Sequence, residues 1–209
     1  MNESKPCDTS SLSYNRLLKD DGQPYGNPNL YKSIVGALQY LTFTKPDFAF
    51  SVHHVYQFMQ NPMVAHFTAM KRILRYLKGV MHLGISYNLG DLSLTAFSDV
   101  AWAGDPNDRR STTGLVVFLG PNPVSWFSKR QQTVSKSSTK AEYRALSTTF
   151  AELDWIKQLL VFMLDPISKA PVLFCDNMST IALSFNLVQH QMTKHIEIDV
   201  HFVRERVAK

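Results

Sequence analysis

The chain has 209 residues, 44% of them hydrophobic and 19% charged, which suffices for one well-filled core or two small ones. Its two cysteines, Cys7 and Cys175, are too few for a disulfide framework or a cysteine-ligated zinc site and fit a reducing compartment. The net charge of +5 suits a nucleic-acid partner and an ordinary basic protein alike. No apolar run of roughly 18 residues and no signal-peptide pattern occurs, so no membrane partner and no secretion are expected. The expected compartment is intracellular, cytoplasmic or nuclear, with an organelle also open.

Residues 1–29 lack periodicity and carry Ser, Asp, Asn, Gly and Pro throughout, the pattern of a linker or tail. From Tyr31 the period is helical. The spacing predicts helices over Tyr31–Thr42, Phe48–Met59 and His66–Lys78, with breaks at Thr44-Lys45-Pro46 and Asn61-Pro62, and with Gly79 closing the third as its C′ residue. That third helix has an apolar stripe (Phe67, Met70, Ile73, Leu74, Leu77) opposite a basic face (Lys71, Arg72, Arg75, Lys78). The face is either a phosphate track or a solvated surface.

After Val80 the period becomes that of strands. Leu83–Tyr87 is a short candidate, and Leu92–Ser98 alternates so that Leu92, Leu94 and Ala96 share one side while Phe97 and Asp99 share the other. Thr112–Leu119 and Val124–Lys129, separated by Gly120-Pro121-Asn122, form an expected antiparallel hairpin. A long helix follows from Ala141 to about Met163. The unbroken apolar run Pro171–Cys175 then reads as a central strand covered on both faces. This order predicts an α/β fold with a mixed sheet, the Asp99 and Asp176 strands lying parallel through a right-handed crossover, so that both aspartates end on one edge.

Three acids stand in short signatures: Asp99 in Ala96-Phe97-Ser98-Asp99, Glu142 in Ser138-Thr139-Lys140-Ala141-Glu142-Tyr143, and Asp176 in Leu173-Phe174-Cys175-Asp176-Asn177. Carboxylates gathered this way from distant sequence suit a divalent-cation site and a metal-dependent phosphodiesterase. For Glu142 the alternative is a capping box, Thr139-Lys140-Ala141-Glu142, in which the carboxylate reaches back to the helix start. Against it, Glu142 shares helical spacing with Leu146, Phe150, Leu153 and Leu160, which puts it on the sheet-facing stripe, where a carboxylate needs a partner.

Together with these signatures, Tyr31-Lys32-Ser33-Ile34-Val35-Gly36-Ala37-Leu38-Gln39-Tyr40-Leu41-Thr42, Arg72-Ile73-Leu74-Arg75-Tyr76-Leu77-Lys78-Gly79, Trp102-Ala103-Gly104, Asp108-Arg109-Arg110-Ser111-Thr112-Thr113-Gly114, Ser137-Ser138-Thr139 and Thr193-Lys194-His195-Ile196 give the chain from Tyr31 onward a resemblance. It resembles the C-terminal part of a copia-type LTR retrotransposon Pol polyprotein. The resemblance implies that residues 30–88 are a small helical remnant of the reverse-transcriptase connection. It further implies that residues 89–209 are a ribonuclease H-like domain, a mixed sheet with flanking helices, truncated before its last strand and helix. The polymerase palm is absent, so no DNA synthesis is expected from this chain.

The resemblance also implies a hydrolase, an endonuclease that cuts the RNA strand of RNA–DNA hybrids during reverse transcription, with carboxylates holding two Mg²⁺ ions. Asp99, Glu142 and Asp176 fall on three of those catalytic and metal-binding positions, with Asp99 bridging both ions. A fourth catalytic aspartate belongs to the segment expected to be missing, so activity is expected to be weak or absent. The other reading is a non-catalytic retroelement remnant that at most binds nucleic acid. Where the family has Asp-x-Asp-Trp-Ala-Gly and Thr-Glu-Ala-Glu-Tyr, this chain has Asp99-Val100-Ala101-Trp102 and Thr139-Lys140-Ala141-Glu142. Its expected partners are the hybrid, contacted by Arg109, Arg110, Lys129, Arg130 and Asn177, and the remainder of the Pol polyprotein. Glu197 and Asp199 are read as a solvated helix flank. His190, His195 and His201 have no zinc spacing, Trp155 is read as core, and Trp102 and Trp126 either pack or stack on a nucleotide.

Overall fold

The computed structural model describes residues 4–12, 16–20, 22–163, 167, 169–185 and 196–207. They form two compact units, one of residues 1–86 with 105–108 and one of residues 87–104 with 109–209. Each unit has its own core.

The first unit is helical. Helix α1 (Pro28–Leu41) starts where the Asn27 side chain accepts from Leu30 N at 3.0 Å and where Pro28 gives up no needed donor. A 3₁₀ turn (Pro46–Phe48) leads into α2 (Ala49–Tyr56), and α3 (Val64–Gly79) follows. Tyr31, Val35, Leu38, Phe48, Val52, Val55, Met70 and Ile73 make the core. Gly79 is the last residue of α3 and not a C′ glycine; Val80 caps the helix with φ −112°, so no left-handed residue is needed there.

The first 29 residues do more than their polar composition suggests. Leu17 is 2% exposed within this core, Tyr25 stacks on Phe67 with centroids 4.0 Å apart, and Pro24 bridges to Met63. The basic face of α3 is also engaged. Arg72 Nη2 donates to Thr9 Oγ1 at 2.6 Å, Arg75 Nε to Lys5 O at 2.8 Å and Lys78 Nζ to Ser4 O at 3.0 Å, while Lys71 lies over the Phe67 ring. Bare solvation does not describe this face, since three of its cations hold residues 4–9. The expected strand at Leu83–Tyr87 does not form: residues 83–93 hold no regular element, and the Leu83 carbonyl accepts from Lys45 Nζ.

The second unit is built on a four-stranded sheet in the order β3-β2-β1-β4, from β1 (Leu94–Ala101), β2 (Thr112–Leu119), β3 (Asn122–Arg130) and β4 (Val172–Cys175). β1, β2 and β3 pair antiparallel and β4 joins β1 in parallel, which makes the sheet mixed and the class α/β as expected. The hairpin turns at Gly120, whose φ of 56° and close approach to the Asp91 carbonyl exclude a side chain. Helix α4 (Ser138–Phe162) covers one face, with Leu153 and Ile156 against Leu94, Ala96, Leu115 and Val117. Helices α5 (Met178–Phe185) and α6 (Glu197–Val207) complete this layer, Val200 and Val203 of α6 and Ile196 just before it packing against Tyr143 and Leu146 of α4.

Two expectations fail here. β4 is not a covered central strand but the edge of the described sheet, with Val172 51% and Phe174 50% exposed. Its outward side chains are apolar because they pack sideways: Phe174 stacks on Phe97 with centroids 5.0 Å apart, and Phe97 meets Phe118 edge-on at 6.0 Å. Trp155 is 57% exposed and not core, since it falls off the stripe of Leu146, Thr149, Leu153 and Ile156. No helix among the described residues is long and apolar enough to cross a membrane.

Candidate metal centre

Glu142 is placed by the way α4 begins. Ser137, extended at φ −142°, ψ 154°, caps the helix and its hydroxyl accepts from Lys140 N at 3.4 Å. The cap thus lies two residues before Thr139, and Glu142, beyond the first turn, is no capping-box residue. Ala141 and Ala145, both 0% exposed, pack on Val100, and these small side chains let the helix start approach β1 closely. Glu142 is carried inward with them and is 6% exposed.

β1 alternates so that Leu94, Ala96, Ser98 and Val100 face α4 while Phe97 and Asp99 face away. The strand continues past Asp99 to Ala101, so this aspartate lies within the strand and not at its end. Its Oδ1 accepts from Val100 N at 2.7 Å. Ser98 is the register partner of Cys175 on β4, so Asp99 and Asp176 each follow that pair at the same end of the parallel pairing. Both aspartates are exposed.

Ligand atoms of Glu142, Cys175 and Asp176 all lie within 4.8 Å of one another. Asp99 is not in that set but acts on it. Burial first, then the charges of Asp99 and Asp176, push the Glu142 carboxyl up to about 7. Glu142 Oε2 is buried without a hydrogen-bond partner. The Cys175 thiol is raised by burial and by the same carboxylates, against a hydrogen bond from the Asn177 backbone N–H that lowers it. Two carboxylates and one thiol thus meet where α4 and β4 converge, with the charge of Asp99 felt from β1, an arrangement able to hold a divalent cation.

A groove of about 310 Å³ lies at the end of β3, lined among others by Lys129, Arg130, Gln131, Thr133, Arg144 and Asp199. Lys129 and Arg130 are therefore brought together, whereas Arg109 and Arg110 are not part of it. Arg109 is exposed with a left-handed backbone, φ 59°, at the turn into β2, and Arg110 is half-buried. Asn177 is engaged in structure: its Oδ1 accepts from Thr180 N at 2.9 Å and caps α5. Glu197 is exposed on α6 and Asp199 half-buried there; His201 is exposed, while His190 and His195 lie outside the described residues. Trp102 donates from Nε1 to Ser135 O at 3.1 Å.

Sequence reasoning missed Cys175 and Arg144. The signal for Cys175 was its place next to Asp176 at a strand end, discounted because two cysteines cannot make a cysteine-rich zinc site. Arg144 gave no signal, since an arginine on a helix is ordinarily solvated. Here it donates to Ser135 Oγ at 2.9 Å and to Thr133 O at 3.2 Å.

Known proteins bear on this arrangement. The chain is 45% identical over 204 residues to the retrovirus-related Pol polyprotein from transposon RE1 of Arabidopsis thaliana, covering 97% of this chain and 14% of that protein. It is 39% identical over 178 residues to the Pol polyprotein from transposon TNT 1-94 of Nicotiana tabacum, 85% of this chain and 13% of that one. A third relative, secreted RxLR effector protein 161 of Plasmopara viticola, is 44% identical over 128 residues, 60% of this chain and 90% of that one. No family model and no solved structure matches. The chain spans about a seventh of the RE1 polyprotein's length. Its relatives of highest coverage are Ty1/copia-type retrovirus-related Pol polyproteins, each of which it matches over a part of that protein's length.

Proposed function

We propose that the second unit is a ribonuclease H domain that hydrolyses the RNA strand of RNA–DNA hybrids during reverse transcription, in concert with the remainder of a Pol polyprotein. The observation that carries this reading is Glu142, a buried carboxylate whose Oε2 has no hydrogen-bond partner and which stands among Asp99, Cys175 and Asp176. A buried charge of that kind is costly unless something compensates it, and a cation does so. The donor set therefore fits Mg²⁺, held by the carboxylates of Asp99, Glu142 and Asp176. Bound there, the ions would generate the attacking hydroxide and stabilise the leaving oxygen.

The chain's own residues supply position and field. Ala141 and Ala145 hold Glu142 against β1, and the parallel pairing of β1 and β4 brings Ser98 and Cys175 into register, with the exposed Asp99 and Asp176 next along their chains. Lys129, Arg130 and Arg144 line a groove that suits backbone phosphates, while Thr113 and Thr133 offer hydroxyls to sugar and phosphate oxygens. Recognition would then follow groove shape and charge and not sequence. The test is cleavage of a labelled RNA strand in a hybrid with Mg²⁺, compared with Asp99→Asn. Cleavage by wild type, lost in the variant, supports the reading; cleavage that Asp99→Asn leaves untouched overturns it.

A binding-only chain is the second reading, and one observation favours it. Among the described residues the mutually close ligand atoms belong to Glu142, Cys175 and Asp176, without Asp99. Hybrid binding with no cleavage in any divalent cation would establish it.

A further inference from the structure

A thiol belongs to the hardest part of this cluster. Cys175 lies with Glu142 and Asp176 inside the 4.8 Å set, on the strand end facing α4, and its sulfur already accepts from the Asn177 backbone N–H. Mg²⁺ selects hard oxygen ligands and has no use for sulfur, whereas zinc and its chemical neighbours take thiolate, carboxylate and water together. Bond lengths of about 2.0–2.3 Å put the donors of a tetrahedral zinc site about 3.3–3.8 Å apart. A bound ion would draw the three donors from their present spacing toward that one.

A second observation points to a ligand independently. Glu142 is 6% exposed and its Oε2 has no partner; Ser98, the register partner of Cys175, likewise has a buried hydroxyl without one. Unpaired polar atoms thus face the thiol from α4 and from β1.

We propose that Glu142, Cys175 and Asp176 form a mixed thiolate–carboxylate site that captures a thiophilic divalent cation of the zinc class at the expense of Mg²⁺. Binding replaces the Cys175 thiol proton, released to solvent, with a metal–sulfur bond, and three protein ligands leave one position for water. Zinc at this site blocks the Mg²⁺ position, so it acts as an inhibitor of any Mg²⁺-dependent cleavage. The inference rests on reading the carboxylates as a metal centre, and its test separates the two.

The full chain is titrated with Co²⁺ as a zinc probe, and the sulfur-to-cobalt charge-transfer absorption is followed; Mn²⁺ binding is measured in parallel by electron paramagnetic resonance. The expected result is a charge-transfer band that saturates at one Co²⁺ per chain, disappears on adding Zn²⁺, survives in Cys7→Ser and is lost in Cys175→Ser, which still binds Mn²⁺. Wild type that binds Mn²⁺ without a charge-transfer band overturns the thiolate site and leaves the carboxylate centre standing. Failure to bind either ion overturns both, and a band that follows Cys7 overturns the assignment. Should Cys175→Ser not fold, alkylation of the wild-type chain decides: saturating Zn²⁺ slows modification of Cys175 by about tenfold or more and leaves Cys7 unchanged. Equal rates with and without Zn²⁺ overturn the proposal.

Discussion

Glu142 holds its proton in the folded chain at a pH where an unfolded chain has lost it. Its carboxyl is raised from 4.5 to about 7 by burial and by two carboxylate neighbours, so between those values the native state binds more protons than the unfolded one. Stability then falls as pH rises, because the slope of the unfolding free energy follows the protons bound by the unfolded state minus those bound by the native state. The Glu142 contribution is harmless below about 4.5 and fully adverse above about 7. In chelator, thermal denaturation should give a melting temperature that declines across this window. Glu142→Gln should flatten the decline and raise stability by about 1–3 kcal/mol at pH ~8. Added Mn²⁺ should restore wild type and not the variant; a wild-type curve level from pH 4.5 to 7 would refute a buried charge at Glu142. A second residue-scale test concerns Ala145, fully buried against Val100. Ala145→Leu should cost about 1–3 kcal/mol by overpacking and should weaken Mn²⁺ binding by pushing Glu142 outward.

Among elements, the two basic surfaces separate in a way that patterning alone does not show. On α3 the cations hold residues 4–12 through Arg72, Arg75 and Lys78, whereas Lys129 and Arg130 of β3 and Arg144 of α4 line an open groove. Changing Lys129, Arg130 and Arg144 to Ala should flatten the salt dependence of hybrid binding, by roughly 0.7–0.9 in slope for each phosphate no longer neutralised. Changing Arg72, Arg75 and Lys78 should leave that slope alone and speed proteolysis within residues 4–12; the opposite pattern would make α3 the nucleic-acid track. Helices and the hairpin were legible because they follow from local periodicity and turn chemistry, and the parallel pairing of β1 with β4 because it follows from the order of the elements between them. β4 was misread because an unbroken apolar run reports burial without saying against what, and Phe174 is covered only in part, by Phe97 of its own sheet. The place of Leu17 in the first core was hidden for the converse reason: a single anchoring side chain in a polar stretch has no period. Within the site, the inward stripe gave Glu142. Cys175 depends on which side chains meet across α4 and β4, and Arg144 on those that meet between α4 and the segment after β3, and no one-dimensional pattern carries that.

At the scale of the whole chain, two separate cores allow the second unit to be considered as a catalytic body in its own right, and its activity tests the proposed function most directly. Asp99 and Asp176 are exposed, and on the proposed reading they would share a cation, but Glu142 is largely protonated below about 7 until one binds. Cleavage of the RNA strand should therefore be slow at pH ~6 and rise through about 7 with subsaturating Mg²⁺, the rise shrinking as Mg²⁺ saturates and displaces the proton itself. Asp99→Asn, Glu142→Gln and Asp176→Asn should each lower the rate by about 10²–10³, the usual effect of removing a major electrostatic stabiliser of a transition state. Circular dichroism distinguishes this from unfolding, since the exposed aspartates contribute nothing to either core and Glu142→Gln is expected to stabilise the fold. A rate that ignores both pH and Glu142→Gln would show that cleavage, where it occurs, uses a centre other than the meeting of α4, β1 and β4. Folded protein that binds the hybrid with the expected salt dependence but never cuts it would leave the basic groove as the functional surface and the carboxylates without a catalytic role.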